Sequence, residues 1–388
     1  MRHRDRVQAA LNHELPDRCP MQISFTPEFA RRLQADLETN SRGVHNPHGG
    51  GNTYELERAI GEDVLLTSVG WVNSYYRPGY ESCASYVDEW GVTWKTAEYT
   101  TRYGPGHYTE PAGHPLADEE AICRYIPPDP ARPDLYRDAA QVLQDFSEEY
   151  WIVGVVVTTV FECAWALRGF ERLLTDLLVN PDLAERVLEF PFRYHQEVAR
   201  RLAAMGVDMI WLGDDVGGQS SMLISPDLWR RFLKPRLASI IATIRDINHN
   251  IKVAYHSDGW IEPIIPELIE IGVDVLNPLQ PAAMDLERLG KQYGERLSFW
   301  GSIDIQHTLP FGTPSEVAAE VRERMKTLGR VGGLILGPTH NVQLDTPLDN
   351  FWAMVNAIHR TTYASLSQAG DNGGRPLDTA GVEGPRAL

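Results

Sequence analysis

Apolar residues gather along the chain in eight short runs, each closing on small or polar residues: 21–24 (MQIS), 63–68 (DVLLTS), 151–158 (WIVGVVVT), 208–213 (DMIWLG), 251–256 (IKVAYH), 274–278 (DVLNP), 297–302 (LSFWGS) and 333–337 (GLILG). Within a run the apolar positions follow one another without polar alternation. That is the mark of strands buried on both faces, and so of a parallel sheet covered by helices. From the third run onward, helix-like segments separate them, at 169–206, 225–248, 261–272, 285–294 and 313–329. Several open on Ser, Thr or Asp followed by Pro, and several close on Gly, as helix punctuation requires. Eight strands alternating with helices predict an α/β chain folded as a (β/α)8 TIM barrel. A doubly wound open sheet is the competing arrangement, but no G-x-G-x-x-G follows the first run, which disfavours a dinucleotide-binding enzyme.

The interval 69–150 breaks this alternation. It is aromatic and polar, with 80–95 (YESCASYVDEWGVTWK) reading as a β-hairpin turning around Glu89 to Gly91, and 126–134 (IPPDPARPD) reading as extended chain. It is expected to be an insertion after the second strand that covers one mouth of the barrel, within a single domain spanning 1–366. The tail 367–388 has few apolar residues and reads as a disordered end. At the other end, Arg2, Arg4 and Arg6 precede VQAALNHELPDRCP, a short helix whose arginines are expected on a solvated face.

Composition narrows the partners. With 388 residues and 43% hydrophobic positions the chain can bury a sizeable core, and a formal charge of −17 disfavours a nucleic-acid surface. No run approaches the roughly 20 apolar residues that span a bilayer, and the first 20 residues lack a secretory core, so a cytoplasmic protein without membrane partner is expected. Cys19, Cys83, Cys123 and Cys163 are widely spaced without a CxxC pair, which points to reduced thiols.

In such a barrel the active site collects at the carboxyl ends of the strands. The polar residues there are Ser24 and Thr26, Ser68, Thr158 and Thr159, Asp214 and Asp215, His256 and Asp258, Asn277 and Gln280, Ser302 and Asp304, then Thr339, His340 and Asn341. Two imidazoles and a carboxylate with open positions suit zinc or a non-haem divalent ion such as iron or manganese. His256 and Asp258 stand at i and i+2 and so face one side of a continuing strand. The plainer alternative is a hydrogen-bonded structural histidine. Asp214, Asp215 and Asp304 are the candidate acid/base carboxylates. For the adjacent pair two readings stand level: the two carboxylates divide their pKa values as an acid/base pair, or, because strand neighbours point oppositely, one caps a loop while the other faces the pocket. Thr158, Trp71, Trp165, Gln280 and Asn341 are candidate contacts for a small, apolar or aromatic substrate, with Trp90, Trp94 and Trp211 also near the expected mouth.

The segments 205–237 (MGVDMIWLGDDVGGQSSMLISPDLWRRFLKPRL), 255–280 (YHSDGWIEPIIPELIEIGVDVLNPLQ), 299–314 (FWGSIDIQHTLPFGTP) and 332–347 (GGLILGPTHNVQLDTP) resemble the uroporphyrinogen decarboxylase superfamily, over about residues 4–363. The resemblance implies a (β/α)8 barrel. Two departures set the chain apart from true uroporphyrinogen decarboxylases: their arginine-rich signature near the first strand is replaced by MQISFTPEFARRL, and their aspartate after the second strand is absent from LLTSVGWV. The chain looks nearer the methylcobamide:thiol methyltransferases, which bind zinc through H-x-C after the fifth strand and a further ligand after the eighth. That likeness implies a metal held by His256, Asp258 and His340, with Asp258 standing where a thiolate is usual. It implies methyl transfer, demethylation or a related lyase step on a small substrate, with a corrinoid or a corrinoid protein as partner. A metal-free decarboxylase of an aromatic or pyrrole acid, and a barrel that carries a corrinoid or tetrapyrrole, are the alternatives.

Overall fold

The computed structural model describes residues 1–38, 45–69 and 85–366. Seven of the eight apolar runs form strands: β1 (Val64–Ser68), β5 (Trp151–Val155), β6 (Met209–Gly213), β7 (Lys252–His256), β8 (Val275–Asn277), β9 (Ser298–Trp300) and β10 (Leu334–Ile335). They lie in one curled parallel sheet in chain order. The first run departs from expectation by forming an isolated bridge, Met21 to Leu336, instead of a strand. Its backbone nevertheless reaches both sheet edges. Leu336 N donates to Pro20 O and Gln22 N to Leu336 O, while Asp63 N donates to Met21 O.

Both faces of the sheet are apolar because both are covered. Side chains alternate along a strand, so Val64 and Leu66, Trp151, Val153 and Val155, Met209 and Trp211, Ala254, Val275, Trp300 and Ile335 collect in one buried cluster. The intervening residues, such as Leu65, Ile152, Ile210, Val253 and Tyr255, join a larger cluster with the helices. Val7 and Leu11 of the N-terminal helix (His3–Leu11) enter the first cluster.

The arginines of that helix do not share the solvated face expected of them. Arg2 is exposed, but Arg4 pairs with Asp208 and Arg6 with both Asp17 and Asp63. Asp63, fully buried, takes Arg6 Nη1 at 2.6 Å, Arg18 Nη1 at 2.7 Å and His3 Nδ1 at 2.8 Å, and accepts Met21 N at 2.9 Å. Burial alone would raise its pKa; His3, Arg18 and Arg6 more than offset that and hold it below the usual carboxylate value. This cluster fastens the N-terminal helix and the first run to the start of β1.

Between β1 and β5 the chain forms a second, antiparallel sheet of β2 (Ser85–Val87), β3 (Thr93–Thr101) and β4 (Gly104–Gly113). The expected hairpin is β2–β3, with Val87 opposite Thr93 and Asp88 accepting Trp90 N, Val92 N and Trp94 Nε1. Residues 80–84 of that expectation lie outside the described residues. β4 was not legible because GPGHYTEPAG carries glycine and proline and no apolar alternation. Trp90 and Trp94 are core residues, not mouth residues: both are buried, and Trp90 stands edge-on to Tyr194. The far tip of the ribbon meets other elements, with Arg102 Nη2 donating to Pro310 O and the Arg32 guanidinium 3.8 Å from the Tyr103 ring centre. No described helix is long and apolar enough to cross a membrane. The tail 367–388 lies outside the described residues.

Replacing Asp63 by alanine leaves the buried Arg18 guanidinium without its counter-ion and Arg6 with Asp17 alone. The expected loss is about 3–5 kcal/mol in urea unfolding, whereas Arg2→Ala is expected to shift stability by no more than ~0.5 kcal/mol.

Candidate functional site

Lys252, Ala254 and His256 alternate along β7, and since Ala254 faces the inner cluster, His256 does too. On β6 the inward series Met209, Trp211 continues through Gly213 to Asp215. A side chain at Gly213 would place its Cβ 2.2 Å from His256 O, at φ +152°, so glycine is what allows the ends of β6 and β7 to lie together. The adjacent aspartates then part, as strand alternation requires. Asp214 points outward and accepts Val160 N at 2.9 Å and Glu162 N at 3.0 Å, capping the helix Phe161–Arg168. Asp215 points inward. Its Oδ1 lies 3.4 Å from His256 Nε2 and accepts Asp258 N at 2.8 Å.

The imidazole is held from behind. Asn277 Nδ2 donates to Trp300 O at 3.0 Å, which fixes the amide and leaves Oδ1 to accept His256 Nδ1–H at 2.7 Å. His256 Nε2 is thereby the nitrogen presented to the carboxylates. Trp300 is itself anchored, its Nε1 donating to Gln22 Oε1 at 3.1 Å. Trp211 stands edge-on to His256, with ring centres 5.5 Å apart, and packs at 4.7 Å against Trp300. Two indoles thus floor the site.

One oxygen of Asp215, one nitrogen of His256 and one oxygen of Asp258 all lie within 4.8 Å of one another. Burial alone would lower the His256 pKa; the bond to Asp215 and the charges of Asp215 and Asp258 reverse this and push it up to about 10. Burial would raise Asp215, but His256 holds it below the usual value, while burial and the charge of Asp215 raise Asp258. Burial pushes Asp214 up to about 7. Behind the cluster, Glu162 Oε2 accepts Asp215 N at 3.0 Å, and burial with the charges of Asp215 and Asp214 raises Glu162 well above normal.

A divalent ion fits these residues on an observation independent of the spacing. Asp258 Oδ1 is buried with no hydrogen-bond partner, and a buried carboxylate oxygen left bare is costly. Carboxylate and imidazole are also the donors that zinc, iron and manganese take.

The other strand-end residues have varied fates. His340 is exposed and outside the 4.8 Å group, though its charge acts on both Asp215 and Asp258. Asp304 serves its own loop, accepting Gln306 N at 2.7 Å and meeting His307 Nδ1 at 3.1 Å. Gln280 accepts Gly259 N at 2.8 Å and so braces the turn after Asp258. Thr158 and Asn341 are buried. Trp165 lies in the helix layer, edge-on to Phe170 at 5.9 Å. Trp71 lies outside the described residues. Glu162 escapes a reading of strand ends because it sits in the first turn of a helix.

A family model described as uroporphyrinogen decarboxylase matches residues 99–361. Among curated proteins the chain is 27% identical over 177 residues to a methylcobamide:CoM methyltransferase of Methanosarcina barkeri, covering 45% of this chain and 48% of that protein. It is 25% identical over 209 residues to a methylated-thiol–coenzyme M methyltransferase of Methanosarcina mazei, covering 53% and 52%. The chain thus spans about half the length of the curated relatives it matches. A solved methyltransferase from Methanosarcina mazei superposes with a TM-score of 0.63 at 20% identity, covering 92% of this chain and 98% of that one, which is a likeness of fold.

With its pKa pushed up to about 10, His256 carries a proton at neutral pH in the metal-free protein. A bound ion must expel that proton, so apparent affinity is expected to rise about tenfold per pH unit between pH 6 and 9 in chelator competition. Asn277→Ala, which frees the ring, is expected to lower affinity by roughly 10–100-fold.

Proposed function

Because the chain belongs to the uroporphyrinogen decarboxylase family and resembles its methyltransferase members more than its decarboxylases, we propose that it is a metal-dependent methyl-transfer enzyme. The reading includes demethylation or a related lyase step on a small substrate, with a corrinoid or corrinoid protein as methyl donor or acceptor, in the cytoplasm. Asp215, His256 and Asp258 hold the ion, with His340 at the rim. The single observation that carries this is the unpartnered Asp258 Oδ1 inside a three-residue ligand group. We take the curled sheet to be a closed (β/α)8 barrel in which residues 20–22 act as the first strand, and the β2–β4 ribbon to be an insertion across its mouth.

When bound, the ion supplies Lewis acidity that polarises a substrate oxygen or thiol. The protein's own residues do the rest. Asn277 holds His256 at Nδ1, keeping Nε2 directed to the ligand group. Asp214, occupied by backbone N–H groups, shapes the helix entry and so positions Asp215. Glu162, raised well above the usual carboxylate range by burial and by the charges of Asp215 and Asp214, braces Asp215 by accepting its backbone N–H. Trp211 and Trp300 exclude water beneath the imidazole.

A ligand set with no sulfur is harder than a thiolate site. It suits zinc with bound water, iron or manganese, and it favours activation of an oxygen or a water over retention of a zinc thiolate.

Protein purified without chelator is expected to carry about one divalent ion per chain by elemental analysis, and His256→Ala to lose it. No ion in either protein would contradict the reading. Carbon dioxide release from an aromatic or pyrrole acid, unaffected by chelators, would replace it with a metal-free decarboxylase.

A further inference from the structure

Away from this ligand group, a small cavity of ≈ 10 Å³ lies between the first apolar run, the loop 45–52 and β1, lined by Ser24, His45, Asn52, Tyr54, Glu57 and Glu62 among others. Its walls present acceptors, because the donors of Ser24, Tyr54 and Asn52 are spent on other groups. Ser24 Oγ donates to Pro47 O, Tyr54 Oη to Leu66 O at 2.6 Å, and Asn52 Nδ2 to Asn46 O and Glu57 Oε1. His45 spans Glu57 Oε1 at 3.0 Å and Phe25 O at 2.9 Å.

Glu62 is different. It is 1% exposed, and its Oε1 is buried with no hydrogen-bond partner. Its neighbour Asp63 is surrounded by Arg6, Arg18 and His3, whereas no cationic side chain pairs with Glu62 among the described residues. A buried carboxyl with a bare oxygen either keeps its proton or takes a compensating cation. The space admits one water-sized occupant. His45 hydrogen-bonds Glu57, which leaves Glu62 as the carboxyl without a charged partner, and a space this small beside one such carboxyl suits a monovalent ion rather than a divalent one. Hard oxygen donors suit an alkali cation.

We propose that this cavity is a binding site for a single sodium ion, held by Glu62 Oε1 together with Glu57 and neutral oxygens of the loop 45–52. The ion fastens that loop to the seam between the first run and β1. The same wall contains Gln22, whose Oε1 anchors Trp300 and through it Asn277 and His256.

The test is thermal unfolding in sodium chloride against N-methylglucamine chloride at equal ionic strength, with the divalent ion held constant so that the outcome is independent of the proposed function. A saturable rise in Tm of about 3 °C or more with sodium is expected, and Glu62→Gln is expected to abolish it. No sodium-specific rise in the unsubstituted protein, or a rise that survives in Glu62→Gln, overturns the proposal and leaves Glu62 protonated or bound to water. Should Glu62→Gln not fold, a crystal structure of the unsubstituted protein grown in sodium decides it: a peak in this cavity with five or more oxygens, Glu62 Oε1 among them, all closer than hydrogen-bond distance supports the site, and a peak at ordinary hydrogen-bond distances, or none, overturns it.

Discussion

Two carboxylates, Asp215 and Asp258, are held close around one half-buried imidazole at the carboxyl edge of the sheet, and like charges at that range favour a cation between them. In the free protein that cation is the His256 proton, which is why its pKa is pushed up to about 10. A divalent ion, as proposed, is another cation that would satisfy the same geometry, and it would also cover the bare Asp258 Oδ1. The surrounding structure meets this requirement at several places: Gly213 lets two strand ends approach, Asn277 aims the ring, and Glu162 accepts the Asp215 backbone N–H from behind.

The two ends of the sheet divide the labour. At the amino ends, Asp63 gathers Arg6, Arg18 and His3, and the N-terminal helix buries Val7 and Leu11 in the inner cluster. That end is saturated with complementary charge. At the carboxyl ends Asp215 and Asp258 share one imidazole, so negative charge is left over. A parallel sheet makes this separation natural, since all strands deliver their ends to the same side. A saturated end supports stability, and an unsaturated one supports ligand chemistry.

Much of this was legible in the sequence. Val/Ile/Leu runs without polar alternation marked seven of the strands to within a few residues, and strand-end polarity led to His256, Asp258 and Asp215. The expected split of Asp214 from Asp215 followed from alternation alone, although which residue faced inward needed the bond from Val160 N. Other features were hidden for physical reasons. The first run makes only bridge pairing because its partners are single residues on two different edges. Arg4 and Arg6 find acids 204 and 57 positions away, a pairing no local pattern encodes. His340 was placed by its position after the last strand, but the loop leaves it exposed and lets Asp215 complete the compact group. Glu162 was invisible because a helix, not a strand end, delivers it.

X-ray absorption spectroscopy of the zinc-loaded protein tests the central claim most directly. Imidazole scattering from a single histidine and a first shell of nitrogen and oxygen only, at about 2.0–2.2 Å, is expected. A sulfur shell near ~2.3 Å, or a first shell without imidazole, would contradict it.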